Sequence, residues 1–321
     1  MTQAFSTQLG IARFGALLSA GLALSLAAGG DAQAQASPAE RGRDPIVVQG
    51  ERLSRPAAEA RASAFIRATG VASGETPAAR WVDPVCPGVT GLTDFADHVA
   101  EARIRLIAEA AGVLLAPEPC VRNIVISFTP DGAGLARAIG LREPRRMSEL
   151  SRAAREAVLS GTAPIRWMYT TELRSRDGGQ QAIAASGGAQ SNARMGEGAG
   201  SGMPGPGGLM HYESSIVSTL SERVIITAIV IIDQDDVIGR RLDSLADYAA
   251  LVSLAEIRDV GATPAGSILS LFTAPDAIRN LTAQDAAFLR ALYRLPLDRL
   301  ANQHRGILVG QITDALSAAD R

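Results

Sequence analysis

The sequence predicts an α+β fold, a mixed sheet with packed helices, from three observations. Val224 to Ile232 is an unbroken apolar run rich in β-branched side chains, which reads as a buried central strand. Val121 to Phe128 and Ile165 to Leu173 are two further strand segments, the first with Ile124, Ile126 and Phe128 on one face. Around them lie stretches with apolar residues at helical spacing, and helical and strand segments follow one another in mixed order.

The amino terminus reads as a signal rather than as part of the fold. Met1 to Arg13 is polar with one positive charge, and Phe14 to Ala28 is an apolar run of mainly Leu, Ala, Gly and Ser. Ala34-Gln35-Ala36 then places small residues at the two positions a signal peptidase reads. This is the layout of a secretory signal peptide over 1–36, with cleavage expected after Ala36, or after Ala34 by a shifted reading. The apolar stretch is too short and weakly flanked for a stable membrane span, and no later segment is long enough to be one. The expected location is the periplasm or the exterior.

Residues 37–80 are dominated by Ala, Arg, Glu, Pro and Gly and are expected to be a flexible segment. Within them, Asp44-Pro45-Ile46-Val47-Val48-Gln49-Gly50-Glu51-Arg52 resembles the short segment that opens the plug of TonB-dependent receptors, but nothing after it resembles a receptor barrel. It is read as an extended tether. Ser54 to Thr69 predicts a small Ala-rich helix stopped by Gly70.

A single globular domain is expected over 81–321. Phe95, Val99, Ile104, Ile107 and Ala111 mark a helix ended by Gly112, and Ala133 to Leu141 and Met147 to Leu159 read as two more. Ser175 to Leu209 is a low-complexity stretch of Gly, Ser, Ala and Gln, expected to be a disordered insertion between two strands. After the central strand come the turn Gln234-Asp235-Asp236 and a helix marked by Leu242, Leu245, Ala249, Val252 and Ile257. Thr282 followed by Asp285 three residues on predicts a capped helix start, and Leu297 to Leu316 a last amphipathic helix.

Composition excludes several chemistries. The chain has 31 basic and 33 acidic side chains, net −2, and Arg13 and Asp31 of the signal segment cancel. That balance argues against nucleic acid as a partner. Every basic residue is Arg, which rules out a P-loop lysine, a Schiff-base lysine and a Ser/Lys dyad. The only cysteines are Cys86 and Cys120. In an oxidising compartment an even pair is most simply a disulfide, worth about 3–4 kcal/mol by loop closure; two buried thiols are the alternative. Neither belongs to a CxxC pair, so a metal role is disfavoured.

The remaining candidates carry little. His98, His211 and His304 are far apart, and none is paired at helical spacing with another ligand-type residue. No GxSxG is present. Asp233-Gln234-Asp235-Asp236 invites a calcium reading, but Gly239 falls at the seventh position and Ser244 where an EF-hand needs Glu, so carboxylates facing helix-terminal N–H groups are expected instead. Arg137, Arg142, Arg145, Arg146, Arg152 and Arg155 form a locally basic stretch, read as a solvated face with an anionic envelope component as the functional alternative.

One resemblance spans the domain. Ser267-Ile268-Leu269, Leu281-Thr282-Ala283-Gln284-Asp285 and Leu289-Arg290-Ala291-Leu292-Tyr293 are similar to the tail of a family of exported bacterial zincin-like proteins of uncharacterised function, in which such a segment follows a metal-binding helix. The resemblance implies a zincin-like arrangement, with the helix from Leu242 in the place of the metal helix. Zincin activity rests on HExxH, two imidazoles on one helical face with a Glu general base between them. Here the helix reads Leu245-Ala246-Asp247-Tyr248-Ala249-Ala250-Leu251-Val252 and contains no His. No catalytic, cofactor or metal residue carries over, and no cofactor is expected. Two functions remain: a non-catalytic binding or envelope-associated protein on a zincin-like scaffold, or a periplasmic hydrolase whose active site the sequence does not reveal. The missing imidazoles favour the first.

Overall fold

In the computed structural model, which describes residues 53–148, 150–175, 221–258, 263–274 and 278–318, the apolar run from Val224 is an inner strand of a four-stranded sheet. The expected signal peptide with its cleavage at Ala36, the segment at 44–52, the low-complexity stretch over 176–209 and His211 lie outside these residues. In chain order the elements are α1 (Arg55–Thr69), β1 (Pro87–Thr90), α2 (Asp94–Ala111), β2 (Ile124–Thr129), α3 (Gly132–Arg142), α4 (Pro144–Ser148), α5 (Arg152–Ser160), β3 (Ile165–Ser175), β4 (Ser221–Asp233), α6 (Leu242–Leu254), α7 (Ala283–Arg294) and α8 (Ala301–Ser317). The sheet order is β1-β2-β4-β3. The first three strands are parallel, and β3 runs antiparallel to β4 with a register shift at Thr170/Thr171. The class is α+β with a mixed sheet, as the sequence predicts.

Strand β4 reads as a continuous apolar run because both its faces are covered. Ala228, Val230 and Ile232 face the main core, together with Ile124, Ile126 and Phe128 of β2 and Ile165 and Tyr169 of β3. Ile231 faces the other way and packs with Met168, Ala136, Met147 and Val158. Helices α1, α2, α6, α7 and α8 make the thick layer, and α3, α4 and α5 the thin one. In the turn from β1 to α2, Gly91 at φ +104° lies against the Phe128 backbone, where a Cβ would collide.

The folded body extends upstream of Trp81, into the stretch expected to be flexible. Helix α1 closes on Gly70 at φ +64°, and Ala58, Ala62, Phe65 and Ile66 are buried against the core. Phe65 lies 5.0 Å from the Phe288 ring, and Arg61 donates to Gln284 Oε1 at 2.6 Å. The composition hid this because only Phe65 and Ile66 bring large apolar side chains to that face, beside the small Ala58 and Ala62 and the polar Thr69.

Three other boundaries differ from expectation. The helix expected over Met147–Leu159 is two, because the Ser151 side chain accepts from Ala154 N and starts α5 afresh. Strand β2 begins at Ile124 rather than Val121, since Asn123 is held by Cys86 N and Pro84 O. Strand β1 was not expected at all; its four residues include Pro87 and Gly88, which mask the pattern. Cys86 and Cys120 are disulfide-bonded, with Cα atoms 6.1 Å apart, tying the start of β1 to the approach to β2.

Candidate functional site

Helix α6, compared above with a metal-binding helix, is buried at every position from Ser244 to Leu254. Asp247, in its middle, is fully buried. Arg103 of α2 grips that carboxylate with two hydrogen bonds, Nε at 2.6 Å and Nη2 at 3.0 Å, and Leu281 N donates to the same group at 2.7 Å. One turn earlier, Ser244 Oγ donates to the Arg279 carbonyl. Two polar residues three apart on α6 therefore clamp the chain that leads into α7.

The motif that carried the family resemblance converges on a second buried carboxylate. Asp285 accepts from Ser267 Oγ at 2.6 Å, Ile268 N at 2.8 Å, Thr282 N at 3.0 Å and Thr282 Oγ1 at 2.8 Å. Thr282 in turn accepts from Asp285 N, completing the capping box that the sequence predicts at the start of α7. Burial pushes the Asp285 carboxyl up, while these four hydrogen bonds favour the charged form. Ser267 has no imidazole partner, and its hydroxyl is committed to Asp285.

The two described histidines do not meet. His98 is exposed on α2, whereas His304 on α8 is fully buried. Its Nδ1 accepts from Ala78 N at 3.1 Å and its Nε2 donates to Pro296 O at 2.9 Å, so the ring is neutral with both nitrogens used. Burial holds its pKa below the usual imidazole value. Among the described residues no three His, Cys, Asp or Glu side chains converge as metal ligands.

In open sheets, ligands sit outside the carboxyl ends of parallel strands, where successive helices leave to opposite faces. Here that edge is filled by the chain's own carboxylates. Asp131 caps Gly134 N at 2.7 Å and Asp233 accepts from Gly132 N at 3.1 Å, both at the start of α3, while Thr93 caps α2 at Ala96 N. Asp233 thus meets a helix-terminal N–H, as expected of the acidic turn, although the helix is α3 rather than the one that follows. Asp235 and Asp236 are exposed.

The arginine stretch is largely consumed by the fold. Arg137 donates to Leu159 O, Arg155 to Met147 O, and Arg146 to Glu143 and Thr227 Oγ1. Arg142 and Arg152 are exposed and make no ion pair among the described residues; the Arg145 side chain lies outside them. A small apolar pocket of about 160 Å³ lies open between α2 and α7, lined by Ile107, Ala110, Ala111, Leu281, Ala286, Leu289 and Arg290.

Sequence reasoning missed the Arg103–Asp247 clamp and the partners of His304. The signal for the first was present: an aspartate inside an otherwise apolar helix requires a buried partner. The second had none, since the His304 partners are backbone groups. No helix among the described residues is long and apolar enough to cross a membrane. No family model, no curated protein and no solved structure matches the chain.

Proposed function

We propose that this chain is an exported binding or envelope-associated protein without catalytic chemistry of its own, on a scaffold that resembles the zincins. The observation that carries the reading is the state of α6. A catalytic zinc needs three protein ligands and an open position for water on an accessible face. Helix α6 has neither an imidazole nor an exposed face over Ser244–Leu254, and its central carboxylate is spent on Arg103 and Leu281 N. Asp285 and His304 are likewise occupied by internal partners. Export is supported by the signal-like residues 1–36 and by the Cys86–Cys120 disulfide, since such bonds persist in oxidising compartments. For an anionic envelope component, the exposed Arg142 and Arg152 on the thin layer are the available contacts.

Elemental analysis of periplasmic protein after dialysis, with a generic peptide substrate assayed alongside, tests the proposal. The expected result is no stoichiometric zinc and no hydrolysis. One zinc per chain, lost together with activity on replacing His98, His211 or His304, overturns it in favour of a hydrolase.

A further inference from the structure

Helix α2 is apolar on two faces, and only one of them is buried among the described residues. Ala100, Ile104, Ile107, Ala108 and Ala111 are buried in the core. On the solvent side Phe95 is 80% exposed, Val99 and Leu106 are each 37% exposed, and Ala102 and Ala110 are exposed between and beyond them. These five follow one another at steps of four, three, four and four residues, so they fall within an arc of roughly 80° and run the length of the helix. A surface helix normally carries one apolar stripe, and a second, exposed one marks a contact surface.

The second stripe is its own complement. Reversed about a point between Ala102 and Arg103, it places Val99 against Leu106 of a second copy and Phe95 against Ala110 of a second copy. Ala102 lies at the crossing, where a small side chain lets two backbones approach. Ala110 is also the rim of the pocket between α2 and α7. Its volume of about 160 Å³ is below the roughly 300–1,000 Å³ of drug-sized ligand pockets, and suits one inserted side chain. Phe95 is the large, exposed side chain that the reversal brings there. The polar flank agrees as well: the His98 imidazole and the Glu109 carboxylate are exposed on the same flank of the stripe, and the reversal sets each beside the other's counterpart. A two-fold axis repeats every one of these contacts.

We propose that α2 is the interface of a symmetric antiparallel homodimer, in which Phe95 of each copy enters the pocket beside Ala110 of the other. Nothing in this depends on whether the protein is catalytic.

Sedimentation equilibrium of the mature protein across low to high micromolar concentration tests the stoichiometry, and cysteine pairs test the register. A dimer is expected, with Leu106→Glu and Phe95→Asp each raising its dissociation constant at least about tenfold. Leu141→Glu, an exposed position on α3, serves as the control and leaves dimerisation unchanged. Because all three positions are exposed, circular dichroism of the variants should match the parent. Ala102→Cys should cross-link to itself. Val99→Cys should not, since the two copies of position 99 lie about 10 Å apart along the helices. Val99→Cys mixed with Leu106→Cys should. A monomer at every concentration, a dimer indifferent to Leu106→Glu, or self-linking of Val99→Cys as readily as Ala102→Cys overturns the proposal.

Discussion

The two faces of the sheet are covered by different means. On the thick face, α1, α2, α6, α7 and α8 bury a large apolar cluster; inside it Asp247, Asp285 and His304 have hydrogen-bond partners, whereas Gln284 Nε2 has none among the described residues. On the thin face, the buried apolar residues among those described are Ala136, Met147, Val158, Met168 and Ile231. There arginines do the covering: Arg166 is 5% exposed, and Arg137, Arg146 and Arg155 tie α3, α4 and α5 together through carbonyl and hydroxyl oxygens. Long arginine stems supply apolar cover that short helices lack. The matching is incomplete here too, and on a cation. Arg166 Nη2 donates to Gly161 O, but Nε and Nη1 have no hydrogen-bond acceptor among the described residues, and Asp233 stands 3.8 Å from Nη1. Where a layer is thick, a buried charge is specified by its partners; where it is thin, a charged side chain serves partly as packing.

That contrast is open to test, beginning with its largest expected effect. Asp247→Ala removes the acceptor of two Arg103 hydrogen bonds and of the Leu281 N–H inside the thick layer, and is expected to cost about 3–5 kcal/mol in urea unfolding. Reducing the Cys86–Cys120 bond, which closes the loop containing β1 and α2, should lower stability by about 3–4 kcal/mol in the same measurement.

The buried imidazole gives a pH signature to the thick face. The folded-state pKa of His304 is lowered by burial, so the unfolded chain takes up its proton first as pH falls below the ordinary imidazole value of 6.5. The stability that neutral His304 provides is therefore complete above that value and is lost as pH falls through the window beneath it. A protonated Nδ1 would confront the Ala78 N–H instead of accepting from it. His304→Gln should be less stable at pH 7 and should flatten the stability profile between pH ~6.5 and ~5; an unchanged slope would show that another group sets it. The smallest effect is expected on the thin face. Arg166→Met keeps the stem and removes an incompletely paired charge, so the change should stay within about 1 kcal/mol of neutral. A loss as large as that of Asp247→Ala would erase the distinction between the two faces.

Much of the architecture was legible because it is local. The central strand, the Gly112 and Gly70 helix stops and the Thr282–Asp285 capping box all rest on neighbouring residues, and all are present. Strand β1 was not legible, because a short edge strand containing Pro87 and Gly88 has no period to read. Nor was the burial of α1, where Phe65 and Ile66 are the large apolar side chains of a face set within an Ala- and Arg-rich stretch.

For the chemistry, residue type alone excluded lysine-based machinery, and the sequence carries no HExxH and no GxSxG, with two cysteines available to one another. The lysine conclusion needs no coordinates, because a missing functional group is missing in every conformation. Which carboxylate is clamped and by what, which histidine is buried neutral, and which face of α2 stays open were decided by the tertiary structure. Arg103 and Asp247, or Ser267 and Asp285, are brought together by the packing of separate elements, and hydrogen bonds of that kind leave no period in the sequence that makes them.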